Sequence, residues 1–206
     1  MTVPNDIFST AQSQTYAALR PAIRSGDIVL FSGPEVFSRV IQWATDSPWS
    51  HVGFIFRLDS IDRVMVLESL TSAGSCTVPL SALVNGTGPH QKPYNGKLLI
   101  ARHAGFAALA NPTTLRAMSE FAVDRFGAPY SAVEITKIAL RIILGKFNVR
   151  LAPMLQPDDE YICSEYAAAC FERIGITVPW DGLGFIAPSD FAADPSISAV
   201  GVARTA

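Results

Sequence analysis

Charge is what this sequence has little of. Asp, Glu, Lys and Arg make up 17% of its 206 residues, and the formal net charge is −2. Such a chain lacks the excess positive charge that binds nucleic-acid phosphates, so we expect no nucleic-acid partner. Hydrophobic residues make up 49%, a composition that argues against disorder. We therefore expect a single folded domain spanning residues 1–206.

Cysteine is also scarce. Cys76, Cys163 and Cys170 cannot all pair with one another, so a disulfide framework is not expected. The first residues lack the basic start and apolar run of a signal peptide. No apolar stretch is long enough to cross a bilayer. These absences favour reduced thiols, a cytoplasmic setting and no transmembrane segment.

Motifs for metals and cofactors are missing too. The cysteines have no C-x-x-C spacing, and His90 and His103 have no ligand partners near them in the sequence. Gly182-Leu183-Gly184 lacks the strand and helix that flank a phosphate-binding loop. We therefore predict neither a metal ion nor another cofactor.

What is present is a mixture of strand and helix patterns. Strands are predicted at 27–31, 51–58, 63–69 and 97–102. Helices are predicted at 6–24, from 34 onwards, at 112–126, over part of 131–151, and at 163–173. Residues 70–96 are rich in Ser, Thr, Gly and Pro and are predicted mostly as loop, and 188–191 as a short helical turn.

The strands at 51–58 and 63–69 predict a hairpin around a four-residue loop. If Leu58 lies opposite Arg63, the strand period of two puts His51 and Glu68 on one face as diagonal neighbours. A slip of one residue would move Glu68 to the other face. The hairpin thus predicts a histidine paired with a carboxylate.

Cys163 stands where the helix at 163–173 should begin. A helix N-terminus and a nearby imidazolium both lower a cysteine pKa, and the thiolate is the nucleophilic form. With His51 as base and Glu68 orienting it, Cys163 would complete a triad. Its own backbone N–H, free in the first turn, could stabilise an oxyanion.

Plainer interpretations exist for each of these residues. A cysteine on an apolar helical stripe is usually a core residue, and Cys170 on the same stripe is predicted to be one. A lone histidine that opens a strand is more often structural than catalytic, and Glu68 could be an exposed strand end. Their predicted convergence favours the catalytic interpretation.

Residues 133–147 form an apolar segment with Lys137 and Arg141 on a separate face. A core helix or one that walls the substrate pocket is the first interpretation. A helix in peripheral contact with a membrane surface is the alternative.

Taken together, the motifs resemble the circularly permuted NlpC-type branch of the papain-like cysteine hydrolases. The resemblance covers about residues 25 to 200. In chain order, the residues that carry it are Gly26-Asp27-Ile28-Val29, Ser50-His51-Val52-Gly53, Leu67-Glu68-Ser69, Tyr161-Ile162-Cys163-Ser164-Glu165 and Ile186-Ala187-Pro188-Ser189-Asp190.

The resemblance implies an α+β, circularly permuted papain-like fold. An antiparallel sheet or small barrel would pack against helices, with the cysteine helix placed after the histidine strands. Cys163 is the implied nucleophile, His51 the base and Glu68 the polar third member. Gly127-Ala128-Pro129-Tyr130 is similar to the turn whose tyrosine lines the oxyanion site in that family, so Tyr130 is the implied substrate-binding residue. In the unpermuted pattern this turn lies much nearer the cysteine.

Relatives in this family cleave amide bonds in peptidoglycan stem peptides. Permuted relatives, including the lecithin:retinol acyltransferase group, are linked to N-acyl and lipid substrates. That group's usual cysteine context differs from Cys163-Ser164-Glu165, which favours hydrolysis. We therefore expect a cysteine hydrolase, an amidase or peptidase, that acts on a small peptide, N-acyl or lipid-like substrate. Acyl transfer by the same thiol and a non-catalytic acyl- or lipid-binding module stay open as alternatives.

Overall fold

The computed structural model describes residues 11–70, 74–87, 92–127, 144, 163–180 and 186–205. The strands are β1 (Ser13–Thr15), β2 (Asp27–Ser32), β3 (His51–Leu58), β4 (Arg63–Leu70), β5 (Gly74–Pro79), β6 (Lys97–His103) and β7 (Ile197–Arg204). The α-helices are α1 (Tyr16–Leu19), α2 (Val36–Thr45), α3 (Leu80–Asn85), α4 (Phe106–Leu109), α5 (Pro112–Val123), α6 (Cys163–Glu172) and α7 (Pro188–Ala193).

The described strands form one sheet in the order β1-β7-β6-β2-β3-β4-β5. Every pairing is antiparallel except β1 with β7, which is parallel. The sheet is therefore mixed rather than purely antiparallel, and the described strands leave β1 and β5 as edges instead of closing a barrel. With helices packed against the sheet, the fold is α+β.

Each face of the sheet carries its own hydrophobic cluster, because successive strand side chains point to opposite sides. On one face, Val52 and Phe54 of β3 pack against α6, and the rings of Phe54 and Phe171 lie 5.3 Å apart. On the other face, Ile55 and its neighbours pack against α3. β3 is buried from both sides, which fixes its position in the sheet.

Helix α6 is described over Cys163–Glu172, within the predicted range of 163–173, and ends one residue short of it. Ala167, Cys170 and Ile174 lie on the predicted stripe and are all buried. The Tyr166 hydroxyl donates a 2.8 Å hydrogen bond to the carbonyl of Ala122, which ties α6 to α5.

Two secondary-structure predictions are wrong where the structure describes them, and one strand was not predicted. The helix predicted over 6–24 gives way to β1, the single turn of α1 and a 3-10 turn at Arg20–Ala22. The predicted loop over 70–96 contains β5 and α3. The tail forms β7, which the sequence did not predict. β1 and β7 pair with segments that are distant in the sequence, which local composition does not specify. β5 pairs with the adjacent β4, but its Gly, Ser and Pro residues are typical of a loop.

Two predictions fall outside the described residues. Tyr130, the implied substrate-binding residue, lies there. So does the segment 133–147, apart from residue 144, and with it the choice between a pocket wall and a membrane-surface helix.

Candidate active site

The site is built on the β3–β4 hairpin, whose predicted register is confirmed. Leu58 pairs with Arg63 and Ile55 with Val66, around a 3-10 turn at Asp59–Ile61. His51, the first residue of β3, reaches diagonally to Glu68 on β4, and its Nε2 lies 2.8 Å from Oε2 of Glu68. The predicted histidine–carboxylate pair therefore forms.

Glu68 is buried, with 2% of its surface exposed. A carboxylate out of water needs a partner that satisfies it, and the His51 ring supplies one. Because the carboxylate oxygen accepts, Nε2 of His51 carries the proton. Nδ1 is then the ring nitrogen that is left for a second partner.

That second partner is Cys163. Its side chain forms a hydrogen bond with the His51 side chain. Most of α6 packs on the face of the sheet opposite Ile55. Cys163 nevertheless contacts His51, because the N-terminal end of α6 lies beside the first residue of β3. The backbone N–H groups of Val52 and Ser164 also donate to the Cys163 sulfur.

These contacts favour the charged forms of both side chains. Burial raises the pKa of Cys163, but the facing His51 charge and the hydrogen bonds outweigh it, so the net direction is down. Burial lowers the pKa of His51, but the Cys163 charge and then the hydrogen bonds to Cys163 and Glu68 outweigh it, so the net direction is up. A thiolate next to an imidazolium is the nucleophile–base pair of a cysteine enzyme.

The other two cysteines have the opposite electrostatics. Burial, and then the charge of Glu68 directly opposite on β4, raises the pKa of Cys76 to about 11. Burial raises the pKa of Cys170 to about 12, as fits its predicted role in the core. Among the three thiols, Cys163 is thus the one whose environment favours the thiolate.

Sequence reasoning missed the aromatic residues around His51. The Phe31 ring lies with its centroid 4.7 Å from that of His51, and Tyr94 packs behind Phe31. The sequence indicates Phe31 only as a strand residue. Its contact with His51 depends on the β2–β3 register, and the segment that connects the two strands contains no turn pattern that predicts this register.

Two further observations concern the described residues. No group of three or more His, Cys, Asp or Glu side chains within them is arranged to hold a metal ion. Within the same part of the chain, no helix combines the length and hydropathy needed to cross a bilayer.

Comparisons with known proteins identify a similar fold and no family. No protein-family model matches the sequence, and no curated protein matches it significantly. The solved structure of the metalloprotein YiiX from Escherichia coli O157:H7 is similar, with a TM-score of 0.51 and 20% sequence identity. The match covers 76% of this chain and 69% of that one. At this identity the likeness is one of fold alone.

Proposed function

We propose that this protein is a cysteine hydrolase of the amidase or peptidase type. Cys163 is the nucleophile, His51 the general acid and base, and Glu68 the residue that orients His51. The observation that carries the proposal is the continuous hydrogen-bonded chain from the Cys163 thiol through the His51 ring to the Glu68 carboxylate.

The first half of the reaction forms an acyl-enzyme. The Cys163 thiolate attacks the carbonyl carbon of an amide, and the new C–S bond pushes the carbonyl electron pair onto oxygen. When that pair returns, the C–N bond breaks and the His51 imidazolium gives its proton to the leaving nitrogen. The products of this half are a free amine and a thioester on Cys163.

The second half consumes water. Neutral His51 takes a proton from a water molecule as its oxygen attacks the thioester carbonyl. Collapse of that intermediate breaks the C–S bond, releases a carboxylic acid and restores the thiolate beside the imidazolium. Each cycle therefore uses one water and leaves the enzyme unchanged.

Backbone N–H groups stabilise the negative charge on the Cys163 sulfur and on the substrate carbonyl oxygen in both halves of the reaction. Those of Val52 and Ser164 donate to the Cys163 sulfur in the resting enzyme and stabilise the thiolate before attack. The N–H of Cys163, which opens α6, is our candidate donor to the carbonyl oxygen as it becomes negative, because first-turn N–H groups have no partner within the helix.

The chain order also supports a circularly permuted papain-like fold for this domain. The strands that carry His51 and Glu68 precede α6, which carries the nucleophile. The same elements, in the order of the resemblance, bring the three side chains into contact. For the substrate we propose an amide of a small peptide, an N-acyl amine or a lipid-like molecule.

Reaction with an activated p-nitrophenyl ester tests the proposal. We expect a burst of nitrophenol equal to the enzyme concentration, and an acyl group on Cys163 in the intact-protein mass spectrum. Cys163→Ala should lose both, whereas the matched variant Cys170→Ala should keep both. If no acyl group appears on Cys163, both hydrolysis and acyl transfer are wrong and a binding module is left.

A second measurement separates hydrolysis from acyl transfer. After the burst, steady turnover in water alone indicates hydrolysis. If the acyl group is released only when an amine or alcohol is added, the enzyme is an acyltransferase.

A further inference from the structure

We propose that Phe31 is a positioning residue, whose ring holds the His51 imidazole in the plane that lets it contact Cys163 and Glu68 together. This inference deepens the proposed function and rests on it. It concerns a residue whose ring contacts the His51 imidazole.

The contact follows from strand pairing. Phe31 of β2 and His51 of β3 are directly opposite in the antiparallel register, so their side chains leave the sheet on the same face. Their ring centroids are 4.7 Å apart with 66° between the planes, an edge-to-face arrangement. Phe31 is buried, with 2% of its surface exposed, so the contact is shielded from water.

The hydrogen bond to Glu68 alone does not fix the imidazole. The terminal torsion of histidine is broad and roughly two-fold, and a bond at Nε2 leaves the ring able to tilt about that anchor. The Phe31 ring against the imidazole removes that freedom on one side. Contacts of this kind between aromatic rings favour particular orientations beyond the area they bury.

Phe31 is itself held in place. The Tyr94 ring packs edge-on against it, with centroids 5.3 Å apart and 84° between the planes. The carbonyl oxygen of Phe31 accepts a 2.9 Å hydrogen bond from the backbone N–H of Ser50 and a 3.4 Å bond from its hydroxyl. Ser50 directly precedes His51 in the chain. Phe31 therefore holds both the backbone that enters β3 and, through its ring, the side chain of His51.

A purely structural role predicts something different. Phe31 also belongs to the hydrophobic cluster on its face of the sheet, where Val29 is its neighbour. If Phe31 only filled that core, its replacement would lower stability without altering the Cys163–His51 pair. The ionisation of Cys163 depends on His51, so measuring it distinguishes the two roles of Phe31.

The test is the pH dependence of Cys163 alkylation by iodoacetamide in Phe31→Leu, read on the Cys163 peptide by mass spectrometry. We expect the midpoint to shift to higher pH and the rate at pH 7 to fall about three- to tenfold, the range expected from losing one aromatic contact. Val29→Ala is the matched control, since it weakens the same cluster and should leave the midpoint unchanged.

Two outcomes would overturn the inference. One is a Phe31→Leu protein with a lower melting temperature but the wild-type alkylation profile. The other is an equal shift in Val29→Ala. If Phe31→Leu does not fold, Phe31→Met, which keeps the volume but not the ring, replaces it. Because alkylation needs no substrate, the result stands apart from the acyl-enzyme test of the proposed function.

Discussion

Nε2 of His51 and Oε2 of Glu68 lie 2.8 Å apart, although 16 residues separate them along the chain. The distance depends on hairpin register, because a slip of one residue would turn Glu68 to the other face of the sheet. The pair leaves the second ring nitrogen of His51 for Cys163. The catalytic proposal therefore depends on how β3 and β4 align.

Replacing Glu68 should slow the chemistry less than replacing His51. Glu68→Ala removes only orientation, and we expect activity to fall roughly 10- to 100-fold, as for carboxylates that orient metal-bound histidines. His51→Ala removes the acid and base itself, a loss of about 10²- to 10⁴-fold. The measurement is the rate of Cys163 acylation in each variant. Equal losses would indicate a different base, and Glu120→Ala, an exposed carboxylate on α5, should change nothing.

The reactivity of Cys163 should follow pH in a way that depends on His51. Because the pKa of Cys163 is lowered, its thiolate persists below the ordinary thiol range, and alkylation should stop only as pH falls through that lowered pKa. In His51→Gln the positive charge is gone while burial remains, so the pKa should rise and the rate at pH 7 should drop. The check is the midpoint of the rate–pH curve. An unchanged midpoint would mean that His51 does not stabilise the thiolate.

The two cysteines of α6 should separate reactivity from stability. Cys170 is fully buried in the core, so Cys170→Ala should cost about 1 kcal/mol of unfolding free energy, a typical value for a point mutation, and leave acylation intact. Cys163→Ala should abolish acylation and change stability less, since Cys163 is only half-buried. Urea denaturation and acylation rates measure the two effects. A Cys163→Ala protein that unfolds would point to a core role for this thiol.

Gly53 should matter because nothing larger fits between β3 and β4. A Cβ there would overlap Cγ1 of Val66, so the Val66 side chain or the strands would have to shift. We expect Gly53→Ala to cost about 1–3 kcal/mol through overpacking and to slow acylation by displacing His51 from Glu68. Adding Val66→Ala should restore most of the activity. If the double variant is no better than the single one, the strain lies elsewhere.

These contacts also show how much of the fold and of the candidate site the sequence predicts. The β3–β4 register and the buried stripe of α6 followed from local patterns, since both partners of the hairpin are close in the sequence. β1 and β7 did not, because their strand character comes from pairing with distant segments. β5 pairs with the adjacent β4, but its Gly, Ser and Pro residues are typical of a loop. Phe31 was missed for the same reason as β1 and β7: only the β2–β3 register places it against His51.

The relative reactivity of the three thiols tests the central claim most directly. The intact protein is treated with limiting iodoacetamide at pH 7, and the label on Cys76, Cys163 and Cys170 is quantified by peptide mass spectrometry. We predict that Cys163 takes nearly all the label, because its pKa is lowered while those of Cys76 and Cys170 are raised to about 11 and about 12. Faster labelling of Cys76 or Cys170 would contradict the assignment of Cys163 as the nucleophile.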